Sequence, residues 1–488
     1  MLYLKGKDMI TLQTESMSAL RKNPKRWKDY IKSTHIDEGT ISILNKLFVN
    51  CEKVAIEYPY YDNEYLSTYY LFYAKKYSAF PKECYRIHLF KDGNYSGFFT
   101  LRPTVGETKI GKAYLSPSLF LEKDTFVMKN TYYAHILGQE FKISGIPWMK
   151  QDTDIAVCGH VAVWIAAHIA RLGKEAKNNV VMGDLIKAVP EIDTRVIPIS
   201  AINISQMVKT LSDFGFSPVN IQKNLYEYHI EEKHEMQTFT NELFAYIESH
   251  IAPIICIGNN IHAVTAVGHG KVDYTKLDKE FKDKQIVYFA DLIDSVIVHD
   301  DAQQPYLCVN YKKDVNAFQA DQDIRKEELP AYYIEDFDGM IVPLRERIQY
   351  NFASLILRVK DYIESENLIH KDDHYVERVF IVSANELKAY MYREDINPVY
   401  KQILLTMNMP LHVWCVDFAT FDEYKAQKMS MRFIVDTTAC NKEMLPFLLI
   451  QTREGVWTFG HGKEDKFFYK TKIEAYNIFK GNLEGVKK

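Results

Sequence analysis

A long apolar helix is predicted in the middle of the chain, within QDTDIAVCGHVAVWIAAHIARLGK, residues 151–174. Polar residues precede the apolar run, Cys158 and Gly159 stand where it begins, and Gly173 is typical of the position just beyond a helix C-terminus. The helix is therefore expected to run from Cys158 to about Leu172. Its first residue is either a nucleophile at a helix N-terminus or an ordinary buried thiol, and the rest of the chain has to distinguish the two.

The elements that follow this helix predict an α+β arrangement. The segments NNVVMGDLIKAV and NISQMVKTLSDFG indicate two more helices, and Asn203 with Gln206 forms a capping-box-like start for the second one. After a further helix, EMQTFTNELFAYIESH, three segments are typical of apolar strands: APIICIG, IHAVTAVGHG and IVYFADLIDSVIVHDD. Helices followed by an antiparallel sheet are typical of the α+β class.

Four regions are expected along the 488 residues. Residues 1–140 predict a mixed α/β domain whose short strands are separated by Gly and Pro turns. Residues 141–310 hold the helices and strands described above. The polar stretch YKKDVNAFQADQDIRKEELP predicts a connection at 311–345, and an amphipathic helix with further strands at 346–488 predicts a separate C-terminal α/β domain.

Composition and charge argue against several classes of protein. The formal net charge of −4 gives no general attraction to nucleic acid, so no nucleic-acid partner is expected. No window approaches the roughly 20 apolar residues that span a bilayer, and the N-terminus lacks the apolar segment of a secretory signal, so no membrane association is expected. The seven scattered cysteines contain no CxxC pair, which favours free thiols in a reducing cytoplasm.

Cys158 occupies a position suited to a nucleophile. A cysteine attacks as its thiolate, which the positive end of a helix dipole and a neighbouring imidazolium both stabilise. Attack on a carbonyl also needs donors for the oxyanion, and the backbone N–H at the helix start and the amide of Gln151 are suitably placed. Gly159 would let the backbone approach a substrate closely, and His160 is a candidate for lining the substrate cleft.

A base and an orienting acid are expected from distant parts of the sequence. His262 opens an apolar strand after Gly-Asn-Asn, where its side chain can face a neighbouring helix N-terminus. The next long strand ends in Asp300 and Asp301, and antiparallel pairing would bring that end close to His262. Either Asp300 or Asp301 could orient the imidazole, and Asp291 and Asp294, within or before that strand, are weaker candidates.

The competing interpretation is that Cys158 belongs to the core. A lone cysteine on an apolar helix is far more often packed inside a protein than catalytic. The occurrence in order of Gln151, the Cys158-Gly159 helix start, the strand that begins at His262 and a strand-end Asp favours a catalytic site over that interpretation. Such a site needs neither a metal ion nor an organic cofactor.

The same segments resemble a known family. In this order, WMKQDTDIAVCGHVAVWIAAHIARLG, INISQMVKTLSDFGFSP, HAVTAVG and VIVHDD are similar to the papain-like cysteine peptidases that process double-glycine bacteriocin leaders. The resemblance covers roughly residues 145–310. It implies a papain-like fold, in which a helical half packs on an antiparallel sheet, with Cys158 as nucleophile, His262 as base, Asp300 as orienting residue and Gln151 as oxyanion amide.

The resemblance implies a cytosolic thiol hydrolase, in the first instance a cysteine peptidase with a protein or peptide substrate. The flanking domains would select the substrate or hold the site inactive until a regulatory protein binds. This organisation is compatible with a regulated bacterial effector, such as a toxin or a phage-defence component. The alternative is a papain-like scaffold without catalysis that serves as a binding or sensor module. Acyl transfer to an amine would use the same residues.

Overall fold

The computed structural model describes residues 11–104, 109–122, 124–152, 154–171, 180–190, 201–223, 232–312, 332–370, 372–440, 445–460, 466–480 and 484–485. These residues form a mixed α+β protein, in agreement with the predicted class, built on three large sheets and a two-stranded one.

The helices in these ranges are α1 (Met17–Lys22), α2 (Trp27–Tyr30), α3 (Glu38–Leu47), α4 (Asn63–Leu71), α5 (Cys158–Arg171), α6 (Met182–Ala188), α7 (Ile204–Asp213), α8 (Glu232–Glu248), α9 (Thr275–Lys279), α10 (Phe352–Ser365), α11 (Ala384–Arg393), α12 (Pro398–Thr406) and α13 (Phe421–Lys425). None of these described helices has both the length and the apolar character needed to cross a membrane.

The strands in the same ranges are β1 (Thr11–Ser16), β2 (Lys53–Tyr60), β3 (Cys84–Lys91), β4 (Asn94–Leu101), β5 (Ile110–Leu115), β6 (Phe126–Val127), β7 (Asn130–Ile136), β8 (Gln139–Trp148), β9 (Phe216–Gln222), β10 (Ile254–Ile257), β11 (His262–His269), β12 (Ile286–Tyr288), β13 (Ser295–His299), β14 (Leu307–Asn310), β15 (Phe337–Arg345), β16 (Tyr375–Ser383), β17 (His412–Thr420), β18 (Lys428–Met429), β19 (Met431–Asp436), β20 (Phe447–Gln451), β21 (Gly455–Phe459), β22 (Lys466–Lys470), β23 (Tyr476–Asn477) and β24 (Glu484–Gly485).

The middle sheet carries the predicted site. Its strands follow the order β14-β13-β11-β10-β15-β9, and the short β6 also pairs with β11. Helix α5 lies against β11, and α7 lies against β9. The helix that begins at Cys158 therefore packs on the strand that begins at His262, which places the starts of both elements at one end of the sheet.

The two flanking sheets differ from the expected α/β architecture. The N-terminal sheet has the order β1-β2-β3-β4-β5-β8-β7, and the C-terminal sheet has the order β12-β16-β17-β19-β20-β21-β22. Among the described pairings of these sheets, only β12 with β16 is parallel. The α/β expectation is wrong because all other described neighbours in the two sheets pair antiparallel, including strands whose connections contain helices, whereas an α/β sheet is mainly parallel.

The segment IVYFADLIDSVIVHDD is two strands rather than the single strand predicted from its apolar run. A 3₁₀ turn over Phe289–Leu292 separates β12 from β13. β12 pairs with β16 of the C-terminal sheet, whereas β13 pairs with β11 and β14 of the middle sheet. The run is mostly apolar because β13 is buried and β12 is partly buried, although the two strands belong to different sheets.

The structure also differs from the expected region boundaries. β8 crosses the boundary at 140/141 and pairs with β5 and β7 of the N-terminal sheet. The expected polar connection at 311–345 ends in β15, a mostly buried strand that lies between β10 and β9. Polar composition upstream concealed this strand, and residues 313–331 of the expected connection lie outside the described residues.

A buried ionic cluster joins the middle and C-terminal sheets. Helix α8 contacts both β11 and β16. At its end, Glu248 accepts hydrogen bonds from Arg378 Nε (2.6 Å) and His269 Nε2 (3.0 Å), and Ser249 Oγ accepts one from the backbone N–H of Ile381. Burial opposes the charge on Glu248, but Arg378 and His269 outweigh it and lower the pKa of Glu248 to about 2.

Candidate active site

Cys158 is presented by a short turn that ends at the start of α5. The backbone N–H of Asp152 donates to the carbonyl of Ala156 at 2.9 Å, and the N–H of Ala156 donates back at 2.7 Å. The carbonyl of Val157 then accepts the first helical hydrogen bonds, from His160 and Val161. Cys158 is partly exposed. The predicted helix start at this residue is confirmed.

His262 is fixed relative to the helix by β11. The Thr265 hydroxyl donates to the Ala162 carbonyl of α5 across 3.2 Å. A turn of three residues with positive φ, Gly258, Asn259 and Asn260, connects β10 to this strand. Glycine adopts such backbone without steric cost and asparagine tolerates it, so the Gly-Asn-Asn sequence suits the sharp reversal that precedes His262.

The structure brings the predicted nucleophile, base and acid together. Thr265 pairs with His299 in the β11–β13 ladder, so Asp300 lies just beyond the end of β13 and beside the start of β11. Nε2 of His262 donates to Oδ1 of Asp300 at 3.2 Å. The side chain of Cys158 lies near the same imidazole and contributes to the rise of its pKa. With Nε2 used by Asp300, Nδ1 is the nitrogen left for Cys158.

Asp300 is held in a dense set of donors. Its side chain is completely buried and accepts hydrogen bonds from the backbone N–H groups of Ala302 (2.8 Å) and Gln303 (3.1 Å), from the Gln303 amide and from the Tyr332 hydroxyl (2.9 Å). Burial alone would raise its pKa, but His262, Tyr332 and Ala302 outweigh burial and lower the pKa. Asp300 is thereby kept ionised beside the imidazole.

The imidazole of His262 is correspondingly held in its charged form. Burial disfavours protonation, whereas the hydrogen bonds to Asp300 and Cys158 and the charges of Asp300 and Asp301 favour it and raise the pKa of His262 to about 10. An imidazolium is therefore present through the neutral range. An imidazolium beside a thiol is the arrangement that activates cysteine nucleophiles.

The two candidate acids have different environments. Asp300 bonds to His262, whereas neither carboxylate oxygen of Asp301 has a hydrogen-bond partner on another described residue. Asp301 is 2% exposed, and burial together with the charge of Asp300 raises its pKa to about 7. Asp300 is thus the residue that orients the imidazole, and Asp301 is a poorly solvated carboxyl next to it.

Gln151 lies beside the helix start. The antiparallel bridge between Asp152 and Ala156 sets Gln151 opposite Val157, one residue before Cys158. Two contacts hold this stretch: Arg102 donates to the Gln151 carbonyl at 3.1 Å, and Lys150 donates to the Ala302 carbonyl in the Asp300 turn at 3.0 Å. The backbone of Gln151 is therefore fixed between the Cys158 helix and the Asp300 turn.

Gly159 and His160, predicted to contact substrate, are instead buried. A Cβ on Gly159 would lie 2.6 Å from Ile202 Cγ1. The absence of a side chain at Gly159 therefore allows Ile202, which lies just before α7, to pack closely against the start of α5. His160 has no exposed surface; its Nδ1 accepts a hydrogen bond from the Val157 N–H, and burial lowers its pKa to about 4. The side chain turns inwards to cap the helix, which explains why it does not line a cleft.

Tyr332 is a site residue that sequence reasoning missed. Its hydroxyl bonds to Asp300, and its ring lies 6.4 Å from that of His262 between centroids. It follows a polar stretch that predicted only a connection, and no local signal links it to a strand end 32 residues earlier.

The atoms of His262, Asp300 and Asp301 that could coordinate a metal ion, a ring nitrogen and two carboxylate oxygens, lie within 4.8 Å of one another. The oxygens of Asp300 already accept hydrogen bonds from Ala302, Gln303 and Tyr332. The donor set therefore fits an imidazolium–carboxylate pair better than a metal site, because metal coordination would compete with these bonds.

Comparison of the chain with models of known protein families finds no match. Comparison with curated proteins finds no related protein either.

Proposed function

We propose that the chain is a thiol hydrolase, most specifically a cysteine peptidase, that uses Cys158, His262 and Asp300. The observation that carries this proposal is the placement of one imidazole beside both an acid and a cysteine. His262 donates through Nε2 to the buried Asp300 at 3.2 Å and lies near Cys158, which begins α5, closely enough for Cys158 to contribute to the rise of its pKa. A core cysteine has no need of such a pair, whereas a nucleophile does.

The chemistry follows from the roles of these groups. The thiolate of Cys158 attacks the carbonyl carbon of an amide, and Nδ1 of the His262 imidazolium gives its proton to the leaving amine as the C–N bond breaks. Water then hydrolyses the resulting thioester and loses a proton to the same imidazole as the C–S bond breaks, which regenerates the thiolate and the imidazolium. Asp300 keeps Nε2 engaged and stabilises the imidazolium throughout.

The oxyanion needs two donors near the sulfur. The backbone N–H of Cys158 lies at the start of α5, where helix N–H groups have no helical acceptor. Gln151 follows β8 and lies opposite Val157, so its side-chain amide is our second donor. The packing of α5 across the antiparallel β11 supports a papain-like assignment for this region.

We further propose that the substrate is a protein or peptide and that a regulatory protein binds the chain. Two flanking sheets contact the middle one, and they supply surfaces that a bare peptidase would lack. A regulated effector of the toxin or phage-defence type fits this organisation by analogy alone.

The test is alkylation of the full chain by iodoacetamide at pH 6, followed residue by residue with mass spectrometry. Cys158 should react at least about tenfold faster than the exposed Cys440, because a thiolate is the reactive form. The rate at Cys158 should fall in His262→Ala, while the rate at Cys440 stays unchanged. Slow and equal labelling of Cys158 in both proteins would favour the non-catalytic binding module.

Substrate is sought by comparing the termini of cellular proteins after exposure to wild type and to Cys158→Ala. New carboxyl termini containing one oxygen from ¹⁸O-labelled water indicate hydrolysis. New amide linkages without ¹⁸O indicate acyl transfer to an amine. Identical protein termini in the two samples would contradict the peptidase proposal.

A further inference from the structure

A cavity of about 430 Å³ lies in the C-terminal part of the molecule, away from Cys158. Helix α10 forms one wall, and strands β12, β16 and β17 form the other. This volume falls within the range of small-molecule sites, roughly 300–1,000 Å³. Its inner surface is mostly apolar, with Val359, Ile363 and Phe418 buried there, while Lys360 and Glu364 stand exposed at the rim.

One carboxyl group interrupts the apolar wall. Glu377 pairs in register with Tyr288 on one side and with Phe418 on the other. Directly paired residues point to the same face of a sheet, and all three line the cavity. The β-sheet register therefore directs the Glu377 side chain towards α10 and into the cavity.

Glu377 is left without a partner by the described residues. It is 5% exposed, and no described residue donates a hydrogen bond to it. Burial raises its pKa to about 8, and no cation of the described residues offsets this effect. The nearest rim cation, Lys360, instead lies 4.0 Å from Glu364. A buried carboxyl without a partner costs stability, so its place in the wall of an open cavity calls for an external partner.

We infer that this cavity binds a small organic cation, one with an apolar body and a single amine or amidine group that pairs with Glu377. The body would pack between Tyr288, Phe418 and the apolar face of α10, while the cationic group supplies the hydrogen bonds that the carboxylate lacks. A neutral apolar molecule would leave Glu377 unsatisfied, and an anion would meet a like charge once the carboxyl ionises. The inference is independent of the proposed peptidase chemistry.

The test is isothermal titration calorimetry of the full chain at pH 8. The probe 3-phenylpropylamine is compared with 3-phenylpropan-1-ol, which has the same apolar body and a neutral end. Wild type should bind the amine at least about tenfold more tightly than the alcohol, because a charge-assisted pair is gained. The preference should vanish in Glu377→Gln and persist in Glu364→Gln, which removes a carboxylate at the rim only.

Equal affinity for the two probes, no saturable amine binding, or a preference that survives in Glu377→Gln would each overturn the inference. A second measurement follows proton release. Because burial raises the pKa of Glu377 to about 8, pairing with the cation at pH 7 should release protons to the buffer. Titrations of wild type and Glu377→Gln in buffers of different ionisation enthalpy measure this release directly. The same proton release in both proteins would show that the amine does not pair with Glu377.

Discussion

At the scale of single residues, the candidate site depends on two adjacent carboxyl groups in opposite states. Asp300 accepts four hydrogen bonds besides that of His262, whereas Asp301 has none from another described residue. The sequence could not separate them, because both stand at the end of one strand. The register of β13 against β11 and the hydrogen bond from Tyr332 make Asp300 the residue that bonds to His262. Neither feature can be predicted from the residues next to Asp300 in the sequence.

Substitution of Asp300 by Asn should change how His262 titrates. The folded pKa of His262, about 10, is above its ordinary value of 6.5, so the pairing stabilises the fold fully below pH 6.5 and is lost as pH rises through 10. Without the carboxylate, the pKa should fall by several units. NMR of histidine-labelled protein measures it, with the exposed Asp422→Asn as control. An unchanged His262 titration would refute the assigned pairing.

Substitution of Asp301 by Asn should flatten the pH dependence of stability. The folded pKa of Asp301, about 7, is above its ordinary value of 3.8, so ionisation of this carboxyl destabilises the fold as pH rises towards 7. The free energy of unfolding of the variant relative to wild type should increase by about 2–3 kcal/mol between pH 5 and pH 8. Urea denaturation at both pH values measures this. A constant difference would mean that Asp301 does not titrate in this range.

At the scale of elements, local signals were sufficient for the starts of helices and strands. The α5 start at Cys158, the β11 start at His262 and the capping box of Asn203 with Gln206 were all predicted and are confirmed. What failed was the orientation of residues within an element. His160 caps α5 from the inside and Gly159 faces Ile202, because α7 covers this side of the helix start.

Gly159→Ala tests that packing. The new methyl group would lie 2.6 Å from Ile202 Cγ1 and 3.1 Å from Met207 Sδ, so these side chains must move. We expect a loss of about 1–2 kcal/mol in the free energy of unfolding, despite the better helix propensity of alanine. In a background of Ile202→Ala the same change should cost less, because the two closest atoms, Cγ1 and Cδ1 of Ile202, are gone and only Met207 Sδ remains close. Equal costs in both backgrounds would show that Gly159 has another role.

At the scale of the whole molecule, the three sheets are not separable segments. Buried apolar residues from all of them form one continuous cluster. β12 leaves the middle region to pair with β16, and β24 pairs with β6. The boundaries were predicted where the polarity of the sequence changes. Strands that are distant in sequence nevertheless pair across these boundaries. Such non-local pairing is the part of the fold that sequence pattern does not encode.

Arg378→Met should weaken the junction between the middle and C-terminal sheets. It leaves Glu248 buried beside His269 with its main counter-charge removed, and such a loss costs about 3–5 kcal/mol. The double variant Glu248→Gln/Arg378→Met should cost less than Arg378→Met alone, since no unpaired carboxylate remains. Urea unfolding of the three proteins measures both effects. A larger cost for the double variant would show that the ion pair is not the main contribution.

The insertion of β15 between β10 and β9 has a consequence for biosynthesis. On the ribosome, β9 and β10 emerge first; β9 has no partner, and β10 has only β11, until residues 337–345 have been made. The same late segment brings Tyr332, which donates to Asp300. A nascent chain that already contains Cys158, His262 and Asp300 thus lacks a central strand of its sheet. Its candidate site matures only after the translation of these later residues.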